Sequence, residues 1–446
     1  MGGRSRAARL SLGALAALAL PAAALAATLN VNSTADELIA GNGQCTLREA
    51  IINANGDGDD TAGDCPAGSG ADLINVPAGT YETGDLDITS DLTLRGAGAA
   101  ITALVQGTSG VVVQVLGGNA VVERLRVTGE GSGLRNSGNL IVSDAIVSEN
   151  GFFGIENYLG DLLLRRSSVI NNSSGGLLNI GGRGSINARV EGSTISGNGI
   201  GCDVYAPGIH SVCFFCNPDL GGVSVPVEVS NSTIADNQGC SLSAVFWRFN
   251  SSIKGTLLDN PDSPGNCLGG GGSLGHNLDS DGSCGFTDPT DLSNVDPLLG
   301  SLQGNGGPTP THALQLGSPA IDAIPAADCT YDHDGDPGTS EVALTKDQRG
   351  AMRPREGNGG APSGCDIGAY EVAPCADGLD NDGDSLVDFD GGATAGLTPL
   401  ASPDPTCTSA LGAAEAPPPP SSGCGVGPEL ALLLPALLAL RRRRRS

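Results

Sequence analysis

The residues best suited to chemistry in this chain are carboxylates. Asp380-Asn381-Asp382-Gly383-Asp384 alternates acidic side chains, and Asp388 follows four residues later. Calcium takes about six to eight oxygen ligands, which alternate residues of a tightly curled loop can supply. Asp380, Asp382, Asp384 and Asp388 therefore read as a Ca2+ site, with Asp377 or Asp390 as further ligands. The loop departs from the EF-hand pattern, because Ser385 stands at the glycine position and Gly391 at the bidentate glutamate position. A merely solvated acidic loop is the alternative. Asp332-His333-Asp334-Gly335-Asp336 repeats the alternation more weakly.

Catalytic constellations are harder to find. The four histidines, His210, His276, His312 and His333, are scattered, so a Ser-His-Asp arrangement has no local support. Asp144, Glu156 and Asp161, with Arg165, Arg166 and Arg189, fall on neighbouring repeats. A glycoside hydrolase needs two carboxylates converging on one groove, and a lyase needs a bound cation with a basic residue. No polysaccharide-lyase signature surrounds these residues, and charges facing outward read as solvated surface. No catalytic residue is assigned. Phe246, Trp247 and Phe249 form an aromatic cluster in which Trp247 is a candidate sugar platform and the others read as core.

Thirteen cysteines remain. Setting Cys424 aside leaves an even number, which in an exported chain reads as a disulfide set. Proximity suggests Cys45–Cys65, Cys267–Cys284, Cys329–Cys365 and Cys375–Cys407, with Cys202, Cys213, Cys216 and Cys240 pairing among themselves. Cys213-Phe-Phe-Cys216 has the spacing of a redox or zinc pair, but only His210 lies near it. Structural disulfides are the preferred reading.

These residues sit in a chain of 446 with 69 Gly, 27 Pro and 3% aromatics. That composition excludes collagen, coiled coil and wholesale disorder, and favours short strands joined by tight turns. The net charge is −26. Removing residues 1–26, with three Arg, and 423–446, with five Arg and Glu429, leaves 15 basic and 48 acidic residues. A chain so acidic repels phosphate backbones and anionic lipid, so no nucleic-acid partner is expected. A polyanionic saccharide would need a locally basic or Ca2+-bridged groove.

Both ends read as addresses. Arg4, Arg6 and Arg9 precede an apolar run, Pro21 breaks it, and Ala24-Leu25-Ala26 supplies a cleavage site after Ala26. Residues 1–26 are thus expected to be a secretory signal peptide. Residues 411–422 form a Pro-rich linker. Residues 423–446 combine small residues, an apolar run from Leu430 to Leu440 and Arg441–Arg445, the layout of a C-terminal sorting signal. Cys424 is the expected processing or anchor residue, and an uncleaved tail anchor is the alternative. The protein is placed at the cell surface, on the outer membrane or outside the cell, touching membrane only through that tail.

Between the ends the chain repeats. Ile141–Asn150, Leu163–Asn172, Ser193–Asn198 and Ser232–Asn237 each alternate apolar and polar residues and then meet Asn. One such unit cannot bury its face alone, but stacked copies make a parallel sheet with a continuous core. Asparagine at one place in each rung can bond its equivalents above and below. The fold class is therefore all-β, a right-handed parallel β-helix over 72–300. An N-terminal cap spans 27–71, a loop-rich region 301–372, and the acidic loop 373–410. An antiparallel sandwich is the rival, but it predicts no asparagine register. Thr46 and Glu49 make a capping box, with Leu47, Ala50, Ile51 and Ala54 as the apolar face of a lid helix. Arg48 is expected to pair with a local carboxylate.

Cys45-Thr-Leu-Arg-Glu-Ala-Ile51 resembles the motif of the CSLREA domain, with Thr46 in place of Ser. Asn305-Gly-Gly-Pro-Thr-Pro-Thr-His312, Gly317-Ser-Pro-Ala-Ile-Asp322, Asp347-Gln-Arg-Gly350, Arg353-Pro354 and Cys365-Asp-Ile-Gly-Ala-Tyr-Glu371 are similar to the C-terminal region of choice-of-anchor Q proteins. The motifs bracket 28–372. The resemblance implies a secreted or surface β-helix attached by an interchangeable anchor, and it carries over no catalytic residue. The function expected is non-enzymatic adhesion or envelope and matrix contact, with an extracellular polysaccharide or a surface protein as partner. A lyase or glycoside hydrolase acting on acidic polysaccharide is the alternative.

Overall fold

A computed structural model describes residues 26–181, 188–199, 209–213, 227–238, 242–245, 251–261, 265–268, 272–331, 340–355, 364–382, 384–398 and 400–412. The leader up to residue 25, the tail with Cys424, the second acidic run at 332–336, Cys202, Cys216, Cys240 and the aromatic cluster at 246–249 lie outside them.

The repeating segments stack as three parallel sheets of ten, ten and eight strands, each strand pairing with its equivalent one turn away. The chain is a parallel β-solenoid. The first sheet includes Asp72–Val76, Leu92–Gly96, Asn119–Glu123, Asn139–Ser143, Asp161–Arg165, Ala188–Glu191, Val227–Ser230 and Ser252–Lys254. The second includes Ile146–Ser148, Ser168–Ile170, Thr194–Ser196, Thr233–Ala235 and Leu257–Asp259, and the third Ser132–Asn136, Phe153–Tyr158 and Gly175–Gly181. Thr28–Asn30 adds a first strand ahead of Asp72.

The period-two alternation aims one set of side chains inward. In the first sheet the inner column is Leu94, Val122, Val142, Leu164, Val190 and Val229, each in register with the next and buried. Val127, Val147, Val169, Ile195 and Ile234 form the matching column of the second sheet, all fully buried. Burying each such side chain contributes about 1.5–3 kcal/mol.

At one corner the asparagines superpose. Nδ2 of Asn150, Asn172 and Asn198 donates to Oδ1 of the next asparagine at 2.7, 2.8 and 3.0 Å, reaching Asn237. The column continues through Asn260 and Asn266 and ends on Asp279 Oδ1 at 2.8 Å. Every amide hands its hydrogen in one direction, so the last member must be a pure acceptor, and a carboxylate is one. The left-handed backbone falls one residue before each ladder asparagine. Glu149, Asn171, Gly197 and Asp236 take positive φ, and the ladder asparagine itself makes the bonds. A second column, Asn136 to Asn157 to Asn179, runs at 2.8 Å per step.

The N-terminal lid forms as its sequence predicts. Helix Leu47–Gly56 has Thr46 as N-cap with a complete capping box to Glu49, and buries Leu47, Ala50, Ile51 and Ala54. Arg48 forks onto Asp36 at 2.7 and 2.9 Å. The Cys45–Cys65, Cys267–Cys284, Cys329–Cys365 and Cys375–Cys407 disulfides form as proximity suggests. Four disulfides fit an oxidising compartment. Among the described residues no helix is long and apolar enough to cross a membrane.

The C-terminal region does not merely close the solenoid's end. It folds back along the outer face of the second sheet. Gln348 Nε2 donates to Ser168 Oγ at 2.9 Å and to Pro310 O at 3.1 Å, while Thr194 Oγ1 donates to Gln348 Oε1 at 2.7 Å. Ala369 N donates to Thr233 Oγ1 at 3.0 Å. A buried charged cluster holds this return. Arg349 pairs with Asp347 at 2.8 Å and lies 3.6 Å over the Tyr370 ring, and Arg353 pairs with Glu371 at 3.1 Å. Burial pushes the Asp366 carboxyl up to about 7, and burial with Asp366 beside it raises Glu371 as well.

Candidate functional site

Two sites emerge, one expected from sequence and one not. In the acidic lobe, Asp380, Asp382 and Asp384 each bring a carboxylate oxygen within 4.8 Å of the others. Short-range turns shape the loop: Asp380 accepts from the backbone N–H of Asp384 and Ser385, and Asp384 from Leu386. Asp388 does not join the three. It is buried, and its two oxygens accept the backbone N–H groups of Asp377 and Gly378 at 3.0 and 2.9 Å. Burial, with Asp377 next, pushes its carboxyl up to about 7. Asp404 comes close by tertiary structure, its N–H donating to Asp388 O at 2.8 Å beside the Cys375–Cys407 disulfide. Asp404 and Asp382 each keep a buried Oδ2 with no hydrogen-bond partner. Oxygen donors of this kind suit a hard divalent cation.

The second site lies on the outer face of the first sheet, where the returning segment 342–346 comes alongside. There a cavity of about 180 Å³ is lined by Arg165, Arg166, Glu191, Tyr331, Leu344 and Lys346, among others. Strand alternation places Arg165 outward because Leu164 points into the core. One residue on, Arg166 turns the corner at φ 46° and forks onto Asp144 at 2.9 and 2.8 Å. That hydrogen bond holds its guanidinium above the ordinary arginine range. Arg165 Nε is buried without a partner, and so is Nη1 of Arg189 one rung along. Arg189 lines an adjoining hollow with Ile141, Leu163 and Asp161. Of the carboxylates flagged by sequence, Asp144 serves Arg166, while Glu156 is buried and paired with Arg135 at 2.7 Å. Asp161 is exposed. They do not converge.

The structure also brings together a serine and a histidine that the sequence keeps 116 residues apart. Ser196 Oγ lies 2.8 Å from His312 Nε2, and His312 Nδ1 lies 2.8 Å from Gly300 O. A backbone carbonyl only accepts, so Nδ1 carries the hydrogen and Ser196 donates to Nε2. The pair forms by tertiary contact, consistent with the lack of any local Ser-His-Asp arrangement in the sequence. The pair is nevertheless no triad. Asp236 approaches Nε2 at 3.8 Å rather than Nδ1, and both Ser196 and His312 are 1% exposed. It is a buried latch between the returning segment and the second sheet.

Sequence reasoning missed Lys346, Tyr331 and Asp404, since no motif marks them. Comparison with family models, curated proteins and solved structures gives no match for this chain.

Proposed function

We propose that this chain is an exported, surface-anchored β-solenoid of the CSLREA and choice-of-anchor Q kind, which makes non-enzymatic contact with extracellular material through the outer face of its first sheet. The observation that carries this reading is the groove beside Arg165, where Arg165, Arg166 and Lys346 gather in a strongly acidic chain. Glu191 is the one carboxylate among its lining residues. Glycoside hydrolysis needs a pair of carboxyl groups at a defined separation, so this site favours binding over cleavage. The four disulfides agree with life outside the reducing cytosol. The acidic lobe is read as a structural Ca2+ site built on Asp380, Asp382 and Asp384, with Asp404 supporting it.

The test is a panel of acidic and neutral polysaccharides, with and without Ca2+, assayed for retention of the purified protein and for new chain ends. Retention without cleavage is the expected result. Robust cleavage overturns the non-enzymatic reading, and failure to be retained on any cell-surface or matrix preparation overturns the contact role.

A further inference from the structure

We infer that the groove is a subsite for the carboxylate of an acidic sugar residue. This rests on the contact role proposed above and names its ligand.

Burying a guanidinium nitrogen without an acceptor is unfavourable, the more so when it is charged. Arg165 Nε and Arg189 Nη1 both bear that cost. Neither side chain has an ion pair among the described residues, whereas Arg48, Arg95, Arg135, Arg166, Arg349 and Arg353 all do. Two nearby cations are already neutralised, Arg166 by Asp144 and Lys254 by Glu341. Lys346, exposed on the returning segment, faces the same cavity.

Charge balance selects the anion. Arg165, Arg166 and Lys346 stand against Glu191 in the lining and Asp144 behind it, which leaves one positive charge. One charge matches a monoanion better than a doubly charged phosphate. Arginine presents planar forks that fit a carboxylate through two parallel hydrogen bonds. Tyr331 and Leu344 add aromatic and aliphatic surface, which suits the carbon face of a sugar ring.

Arg189 lies outside the subsite, because Asp161 lines its hollow and Glu228 stands in register beside it. Arg189 pairs across the sheet with Leu163, two residues before Arg165 on the neighbouring strand. With strands about 4.8 Å apart and about 3.3 Å per residue, the two arginine Cα atoms stand roughly 8 Å apart. The cationic subsite therefore stays at Arg165 and Lys346.

The experiment uses the full chain after the leader. Calorimetric titration is run with a polyuronate, its methyl ester, a neutral polymer of the same backbone and a sulfated polymer. The polyuronate is expected to bind and to weaken as salt rises, while ester and neutral polymers do not. Arg165→Ala and Lys346→Gln should each weaken binding about tenfold, the worth of one charge-assisted hydrogen bond. Arg189→Ala, outside the groove, should leave binding unchanged. Lys346 is exposed, so its variant keeps the test valid should Arg165→Ala fail to fold. Equal binding of the methyl ester, or stronger binding of the sulfated polymer, overturns the carboxylate assignment. Retention on matrix that survives both substitutions overturns the groove while leaving the contact role intact, and no retention of the wild type overturns the contact role itself.

Discussion

Replacing Asn198 with alanine tests the stacking principle of this fold at its centre. The Asn198 side chain accepts from the backbone N–H and Nδ2 of Asn172 at 3.0 and 2.8 Å. It donates to Val169 O, Ser196 O and Asn237 Oδ1 at 2.9, 3.1 and 3.0 Å. Truncation leaves some partners served: Asn172 Nδ2 keeps Val147 O, and Asn237 Oδ1 keeps the Asn198 N–H. The Asn172 N–H loses its acceptor outright in a buried site, at about 1–3 kcal/mol. Two carbonyls each lose one donor, at about 0.5–1.5 kcal/mol apiece. The expected loss is therefore about 4 kcal/mol. Asn139 offers an internal control, since it makes the same kind of bond to Asn119 at 2.8 Å but is exposed. Water replaces that bond, so Asn139→Ala should cost no more than about 0.5 kcal/mol. Guanidinium unfolding followed by far-ultraviolet circular dichroism, with disulfides intact, measures both. Should the two variants differ by less than about 1 kcal/mol, the buried column contributes nothing special and the argument fails. Asn198→Asp should be worse than alanine, because it sets a buried carboxylate against the Asn237 acceptor.

Arg349→Met should cost about 3–5 kcal/mol by leaving Asp347 buried without its partner, and hydrogen exchange should show residues 340–355 opening before the solenoid. Burial holds the His312 pKa below its ordinary value, the backbone contact to Gly300 O opposing it. The fold thus prefers the neutral ring, and stability present above about pH 6.5 is lost as pH falls. His312→Gln, which can still accept from Ser196, should flatten the unfolding midpoint between pH 7.5 and 5; an unchanged slope refutes the latch. Calcium at about a hundred times its dissociation constant should stabilise the metal-free protein by about 2.7 kcal/mol. Asp382→Asn should lose most of that gain, and a calcium-indifferent melt removes the site.

What the sequence makes legible is whatever a stack must repeat. A column bonds only when every rung supplies the same side chain at the same offset, so Asn150, Asn172, Asn198 and Asn237 are visible as a period before any coordinate is known. The capping box at Thr46 and Glu49 is legible for a related reason, because its bonds span three residues. Nearest-neighbour cysteine pairing succeeds where loops are short, with separations of 17 to 36. None of these rules reaches the groove. Arg165 and Lys346 meet because the C-terminal region runs back along the second sheet, and that path is fixed by single contacts such as Gln348 to Ser168, 180 residues apart. A lone glutamine among hydroxyls has no period and no motif. For the same reason the carboxylates that sequence places on neighbouring rungs scatter in space: Asp144 turns a corner, Glu156 sinks into the third sheet and Asp161 faces water. In a solenoid, rungs share a register but the three faces of a turn do not. A functional site built between a face and a returning segment therefore has to be sought among charges the repeat leaves unpaired, as it does the Arg165 Nε.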